Sequence, residues 1–199
     1  MFKNEDRIIF AQRYVDNLCL VLRNLPLSDL ARALEIMEKA FIEQRQVFLA
    51  GNGGSAATAS HMANDLMKSA AKWIERGFHA IALSDNVPLI TAIANDDGYD
   101  EIFANQLAAL ARPGDVLIVI SGSGESANIV RAIEIAQDMQ ITTIAFLGME
   151  GGRVAQMADI SIIVPSNEYG PIEDVHMMFN HLITTYLSSW IEEKQKEIG

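Results

Sequence analysis

Leu49-Ala50-Gly51-Asn52-Gly53-Gly54-Ser55 joins an apolar run, Val47–Ala50, to an amphipathic one, Ser55–Ala70. The first run reads as a strand and the second as a helix. The glycines therefore sit where a strand ends and a helix begins. A second stretch repeats the arrangement: Ile120-Ser121-Gly122-Ser123-Gly124-Glu125-Ser126 closes the run Val116–Ser121 and opens the helical pattern Ala127–Gln137. Open α/β sheets bind ligands outside the carboxyl ends of their strands. Glycine lets the backbone approach an anion closely. Serine hydroxyls and helix N-terminal amides then donate to its oxygens. Each loop alone could be a tight turn with a serine cap. Two of them in one small chain favour a phosphate-type site. A dinucleotide site competes, because both loops fit the loose pattern G-x-G-x-x-A, ending at Ala56 and Ala127. Both lack the third glycine, and Asp85 lies about 30 residues past the first loop rather than the roughly 20 usual for a ribose-binding acid. Neither loop carries the Gly-Lys-Ser/Thr of a P-loop.

Outward from these loops the pattern alternates. Further strands are expected at His79–Leu83, Thr142–Leu147 and Ile160–Val164, and helices at Pro88–Ile93, Tyr99–Ala111 and Arg153–Met157. Val116-Leu117-Ile118-Val119-Ile120 is apolar at every position, as in a central strand buried on both faces. Alternating strands and helices imply an α/β domain, a parallel five-stranded sheet in three layers. Residues 6–24 and 28–45 read as two helices separated by Pro26, with Ser28 or Asp29 as the cap of the second. Ile172–Lys196 reads as one long final helix. A single domain over 1–199 is expected, with an N-terminal helical hairpin at 1–45 and the α/β core and last helix at 46–199.

Half of the 199 residues are hydrophobic, yet no run suffices for a membrane span, and Met1–Asp6 lacks a signal peptide's apolar core. The single cysteine, Cys19, allows no intrachain disulfide and reads as a small buried hydrophobe rather than a reactive thiol. A cytoplasmic protein is expected. The net charge of −11 and the lack of a basic cluster argue against nucleic acid. A small anion can still be bound by backbone amides.

His61 and Asp65 stand four residues apart, one turn of the same helix face. The pair is either half of a metal site or a surface pair, and the loop upstream favours function. Glu173 and His181 share the last helix, but eight residues correspond to about 12 Å of rise. They meet at one ion only if long side chains converge or the helix starts after Glu173. His176 and His79 read as structural.

Taken together, these pieces resemble the SIS (sugar isomerase) family, and within it the phosphoheptose isomerases. The resemblance rests on Gly51–Ser55 with His61, Ile93-Ala94-Asn95-Asp96 with Gly98, Ser121–Ser126, and Ile172–His176 with His181, in matching order over roughly residues 30 to 190. It implies a flavodoxin-like fold and conversion of sedoheptulose 7-phosphate to an aldoheptose 7-phosphate. It also implies a homotetramer and a zinc ion, or another divalent metal. By resemblance, His61, Asp65, Glu173 and His181 hold the metal, and Asp65 and His181 are catalytic. Substrate contacts would come from Asn52, Gly53, Gly54, Ser55, Asp65, Asn95, Asp96, Ser121, Gly122, Ser123, Ser126 and Glu173. Such chemistry needs a base near C1, a proton donor at C2 and a group that polarises the carbonyl.

The chain also departs from that pattern. Asp65 stands where glutamate is usual, Glu173 where glutamine is, Gly122 where threonine is, and Ser69 where arginine is, with Lys68 beside it. Asp65 is shorter by one methylene, about 1.5 Å. The carboxylate of Glu173 would tighten a divalent metal or repel a phosphate. A divergent phosphosugar isomerase is the expectation. The alternative is a non-catalytic SIS module, a sugar-phosphate sensor or a tetrameric adaptor, which has no need to keep His61, Asp65 and His181 together.

Overall fold

The N-terminal hairpin is the first element of a computed structural model that describes residues 6–70 and 77–198. Helix α1 spans Arg7–Arg23, and Asp6 caps it by accepting from the Ile8 N–H at 2.7 Å; Cys19, expected to be buried, is exposed on it because this helix buries little of its surface. Helix α2 spans Leu27–Ile42. Neither Ser28 nor Asp29 caps it. The chain turns at Pro26, whose carbonyl already accepts from the N–H groups of Asp29 and Leu30. Asp29 lies inside the first turn and pairs with Arg32.

The alternating part follows. Strand β1 is Gln46–Gly51, α3 is Gly54–Ala70, β2 is His79–Ala82 and α4 is Val87–Asp96. Then come α5 at Ala104–Leu110, β3 at Val116–Ser121, α6 at Ala127–Asp138 and β4 at Thr142–Leu147. The chain closes with a one-turn α7 at Val154–Met157, β5 at Ile160–Ile163 and the long α8 at Tyr169–Ile198. Among the described residues the five strands form one parallel sheet in the order β2-β1-β3-β4-β5. That is the flavodoxin-like order. The strands alternate their side chains between two cores. Val47, Leu49, Ile118, Ile120 and Phe146 pack under α2, α3 and α8, while Phe48, Ala50, Leu117, Val119 and Leu147 pack under α6 and the segment around α5. All six residues of β3 are buried, as its uninterrupted apolar run requires.

Among the boundaries that differ from expectation, two shape the packing. The single helix expected over Tyr99–Ala111 is broken into a 3-10 turn at Tyr99–Glu101 and α5. The break turns Ile102 and Phe103 into the second core, where both are buried. Helix α8 begins at Tyr169, ahead of Pro171. Proline is tolerated in the first turn because its missing N–H has no intrahelical partner there.

His176 on α8 is 1 % exposed, and its Nε2 donates to the Leu147 carbonyl at 3.2 Å while Nδ1 has no partner. Burial pushes its pKa down to about 4, against a smaller opposing pull from that carbonyl. Between the ordinary value of 6.5 and about 4 the unfolded chain therefore binds the proton first. Stability should fall as pH drops through that window, by roughly 2–3 kcal/mol. Urea unfolding at pH 7 and pH 4.5 should show this loss in the wild type and a smaller one in His176→Leu.

Candidate active site

The sheet order decides where a site can form. The chain runs from β1 outward to β2, then crosses back to β3 and builds the other half. The crevice of such a reversal opens at the carboxyl ends of β1 and β3. Both glycine loops lie there. Asn52 from the first and Asn128 at the start of α6 exchange amide hydrogen bonds, each at 2.8 Å, and the Tyr99 hydroxyl donates to the Asn52 oxygen at 3.1 Å. A pocket of about 160 Å³ remains between them, lined by Asn52, Ser55, Ser121, Ser123, Ser126 and Glu173, among others. Ser126 precedes α6 but makes no side-chain cap bond, so it is not an ordinary capping serine. The loop's shape is set by the chain after β4. An added Cβ at Gly124, where φ is +64°, would come within 1.9 Å of the Gly151 carbonyl oxygen. The Gly124 carbonyl in turn accepts from the Val154 N–H.

A second constellation lies further along α3. His61 Nε2 is 3.1 Å from Asp65 Oδ2, and the rings of His61 and His181 meet edge to face with centroids 5.2 Å apart. One ligand atom each from His61, Asp65 and His181 lie within 4.8 Å of one another. Asn180, on α8, donates to Asp65 Oδ2 at 3.0 Å, and Asn64 donates to Oδ1 at 3.2 Å. The Glu173 carboxylate lies 3.2 Å from where a Cβ at Gly54 would stand. So α3 and α8 run side by side in the same direction. Their amino ends meet at the pocket, and Asp65 meets Asn180 and His181 further on.

The expected site residues therefore divide. Asn52, Ser55, Ser121, Gly122, Ser123, Ser126 and Glu173 line the pocket. Gly53 and Gly54 form the turn above it. His61, Asp65 and His181 form the cluster. Glu173 is not part of that cluster: α8 is continuous from Tyr169, so the side chain emerges at the pocket instead. Asn95 and Asp96 are exposed at the end of α4, where Asn95 donates to Asp96 at 2.7 Å, and neither lines the pocket. The helix runs three residues past the expected Ile93, which carries them onto its last turn. The side chain of Ser69 lies outside the described residues.

Four residues that the sequence reading did not single out take part: Tyr99, Asn128, Tyr169 and Asn180. The Tyr169 ring lies over Gly122, where an added Cβ would come within 3.0 Å of its Cε1. The glycine that replaces the usual threonine thus makes room for an aromatic wall. Asn128, two residues past the serine loop, was the most readable of the four. At the start of α8, the Tyr14 hydroxyl donates to Asp174 at 2.6 Å, and that bond raises the Tyr14 pKa to about 12.

A model of the SIS domain matches residues 12–148, more than half of the chain. The chain belongs to the SIS-domain family. Within that family it is 41% identical over 154 residues to the phosphoheptose isomerase of Aliarcobacter butzleri, covering 77% of this chain and 81% of that relative. It is 43% identical over 149 residues to the phosphoheptose isomerase of Nitratiruptor, covering 75% and 79%. The solved structure of a phosphoheptose isomerase from Francisella tularensis superposes with a TM-score of 0.83 at 30% identity, over 96% of this chain and 100% of that one. The α/β architecture and strand order are those of an SIS domain.

The two loops of this SIS domain differ in tolerance. Gly124→Ala combines a positive φ with a backbone clash and should cost roughly 3 kcal/mol. Gly53→Ala, where φ is +54° but an added Cβ meets nothing within 4 Å, should cost about 1 kcal/mol. Denaturant melts of the two variants side by side check the ordering.

Proposed function

We propose that this SIS domain interconverts sedoheptulose 7-phosphate and an aldoheptose 7-phosphate through an enediol, at the site between α3 and α8. The observation that carries this reading is the pairing of a small anion pocket with an acid–base cluster along the same two helices. Glu173 at the pocket and His181 at the cluster are eight residues apart, about 12 Å of helix. An extended seven-carbon chain reaches about 10 Å from C1 to a terminal phosphorus. A phosphate among Ser55, Ser121, Ser123 and Ser126 would leave C1 and C2 beside Asp65 and His181.

In this reading the Asp65 carboxylate takes the proton from the carbon next to the carbonyl and returns it to the neighbouring carbon. His181 passes a proton between the two oxygens, so the reaction is balanced within the sugar. His61, Asp65 and His181 supply two imidazole nitrogens and a carboxylate, the donor set of catalytic zinc sites that keep a fourth position open. A zinc ion bound there would polarise the sugar carbonyl as a Lewis acid. The sensor or adaptor alternative gives no reason for that cluster to stand beside an anion pocket.

Helix α1 supports an assembly of identical chains. Val21 is its one buried residue among those described, while Ile8, Ile9, Val15 and Leu20 are between 52 and 78 % exposed. We read this face as the interface of a homotetramer. No helix of the described residues is long and apolar enough to cross a membrane. We place the protein in the cytoplasm on its cysteine usage.

Purified protein with zinc should convert sedoheptulose 7-phosphate, and a chelator should remove the activity. Asp65→Asn should lower kcat by about a hundredfold or more. No turnover of this or any other ketose phosphate by the wild type would end the isomerase reading. Glu173→Gln should lower KM severalfold by removing a like charge from the phosphate pocket, which steady-state kinetics at fixed zinc will check. Light scattering should give a mass of about four chains for the wild type and a smaller one for Leu20→Glu.

A further inference from the structure

Asp65 is the shortest acid that could serve this cluster, and it reaches its position with help. Its Oδ2 faces His61 Nε2 at 3.1 Å and receives the Asn180 amide at 3.0 Å; its Oδ1 receives the Asn64 amide at 3.2 Å. Asn64 is exposed, whereas Asn180 is fully buried at 0 %. Among the described residues the Asn180 amide donates elsewhere only weakly, to the Met177 sulfur at 3.9 Å, and its Oδ1 has no partner. An unpaired buried acceptor costs free energy that an apolar side chain of the same shape would avoid. Asn180 is thus a poor choice for packing alone. Its orientation is set by its neighbour, because turning the amide would bring its oxygen against a carboxylate oxygen. It is also the residue immediately before His181. The bond therefore ties Asp65 on α3 to the α8 turn that carries the second acid–base group.

We propose that Asn180 is a positioning residue that holds the Asp65 carboxylate, through its buried amide, in register with His181. This rests on the isomerase and metal reading of the cluster. The tie compensates for the missing methylene of Asp65: what a longer acid would gain by reach, this chain gains by anchoring the short one from the facing helix. Partners that orient a ligand from outside its coordination sphere typically matter by 10–100-fold in metal affinity or activity.

Asn180→Leu removes the donor and the orphaned acceptor together and keeps the number of side-chain heavy atoms. Zinc affinity, measured by competition with a chromophoric chelator, and kcat for sedoheptulose 7-phosphate at saturating zinc should be compared with wild type. A fall of about tenfold or more in either quantity is expected. KM should stay within about twofold, because Asn180 does not line the anion pocket, and the melting temperature should not drop. Zinc affinity and kcat both within twofold of wild type would overturn the proposal. So would losses accompanied by a lower melting temperature and a raised KM, which mark a structural role. If Asn180→Leu does not fold, Asn180→Ala removes the same donor and reads the same quantities. Wild-type protein that binds zinc but turns over no ketose phosphate sinks the isomerase reading alone, and the zinc measurement still decides the role of Asn180. Wild-type protein that does neither overturns both.

Discussion

The pairing of β1 with β3 is the constraint on which the rest of the molecule depends. Val47 through Gly51 lie against Val116 through Ile120 in parallel register, although 64 residues and another strand separate them in sequence. A parallel neighbour that is not the next strand forces the chain to cross back over the sheet. The crossing leaves the carboxyl ends of both strands facing one gap. Everything that binds or reacts is arranged around that gap. The first glycine loop feeds α3 into it, the second feeds α6, and α8 packs along α3 from the far side. The reversal also separates the two apolar cores, so that each face of the sheet is closed by its own helices.

Much of this was legible in the sequence, for identifiable reasons. Uninterrupted apolar strands, small residues at their ends and helical spacing in between report on short-range geometry, and the structure follows them closely. The two loops announced the pocket because glycine and serine at the end of a strand leave a gap before the following helix. His61 and Asp65 were legible as a pair because one helical turn separates them. The less legible features depend on contacts between distant segments. That Glu173 parts from His181 follows from an α8 that is unbroken from Tyr169. Asn95 and Asp96 stand on the last turn of α4 because that helix runs on past Ile93 to Asp96, its end closed by the Asp97 N–H on the Ile93 carbonyl. Tyr169 and Asn180 were invisible because their roles exist only opposite Gly122 and Asp65.

The departures from the family pattern make sense in pairs. A threonine lost at Gly122 is answered by the Tyr169 ring that occupies its space. The short side chain of Asp65 meets an amide reaching from the facing helix.

The length of α8 has a consequence for how a ligand can enter and leave. Ile172, Val175, Phe179, Ile183, Leu187 and Ile191 bury one stripe of the helix along most of its course. Bending it would strip that stripe from the sheet, and a thirty-residue rod held along its side has no natural hinge. The back wall of the crevice is therefore stationary. Whatever breathing admits a sugar has to come from its front, where Tyr169 and Tyr99 stand with more than half of their surface in solvent. Two aromatic rings stand there, Tyr169 over Gly122 and Tyr99 held through its hydroxyl to Asn52, and one of these contacts has to open first.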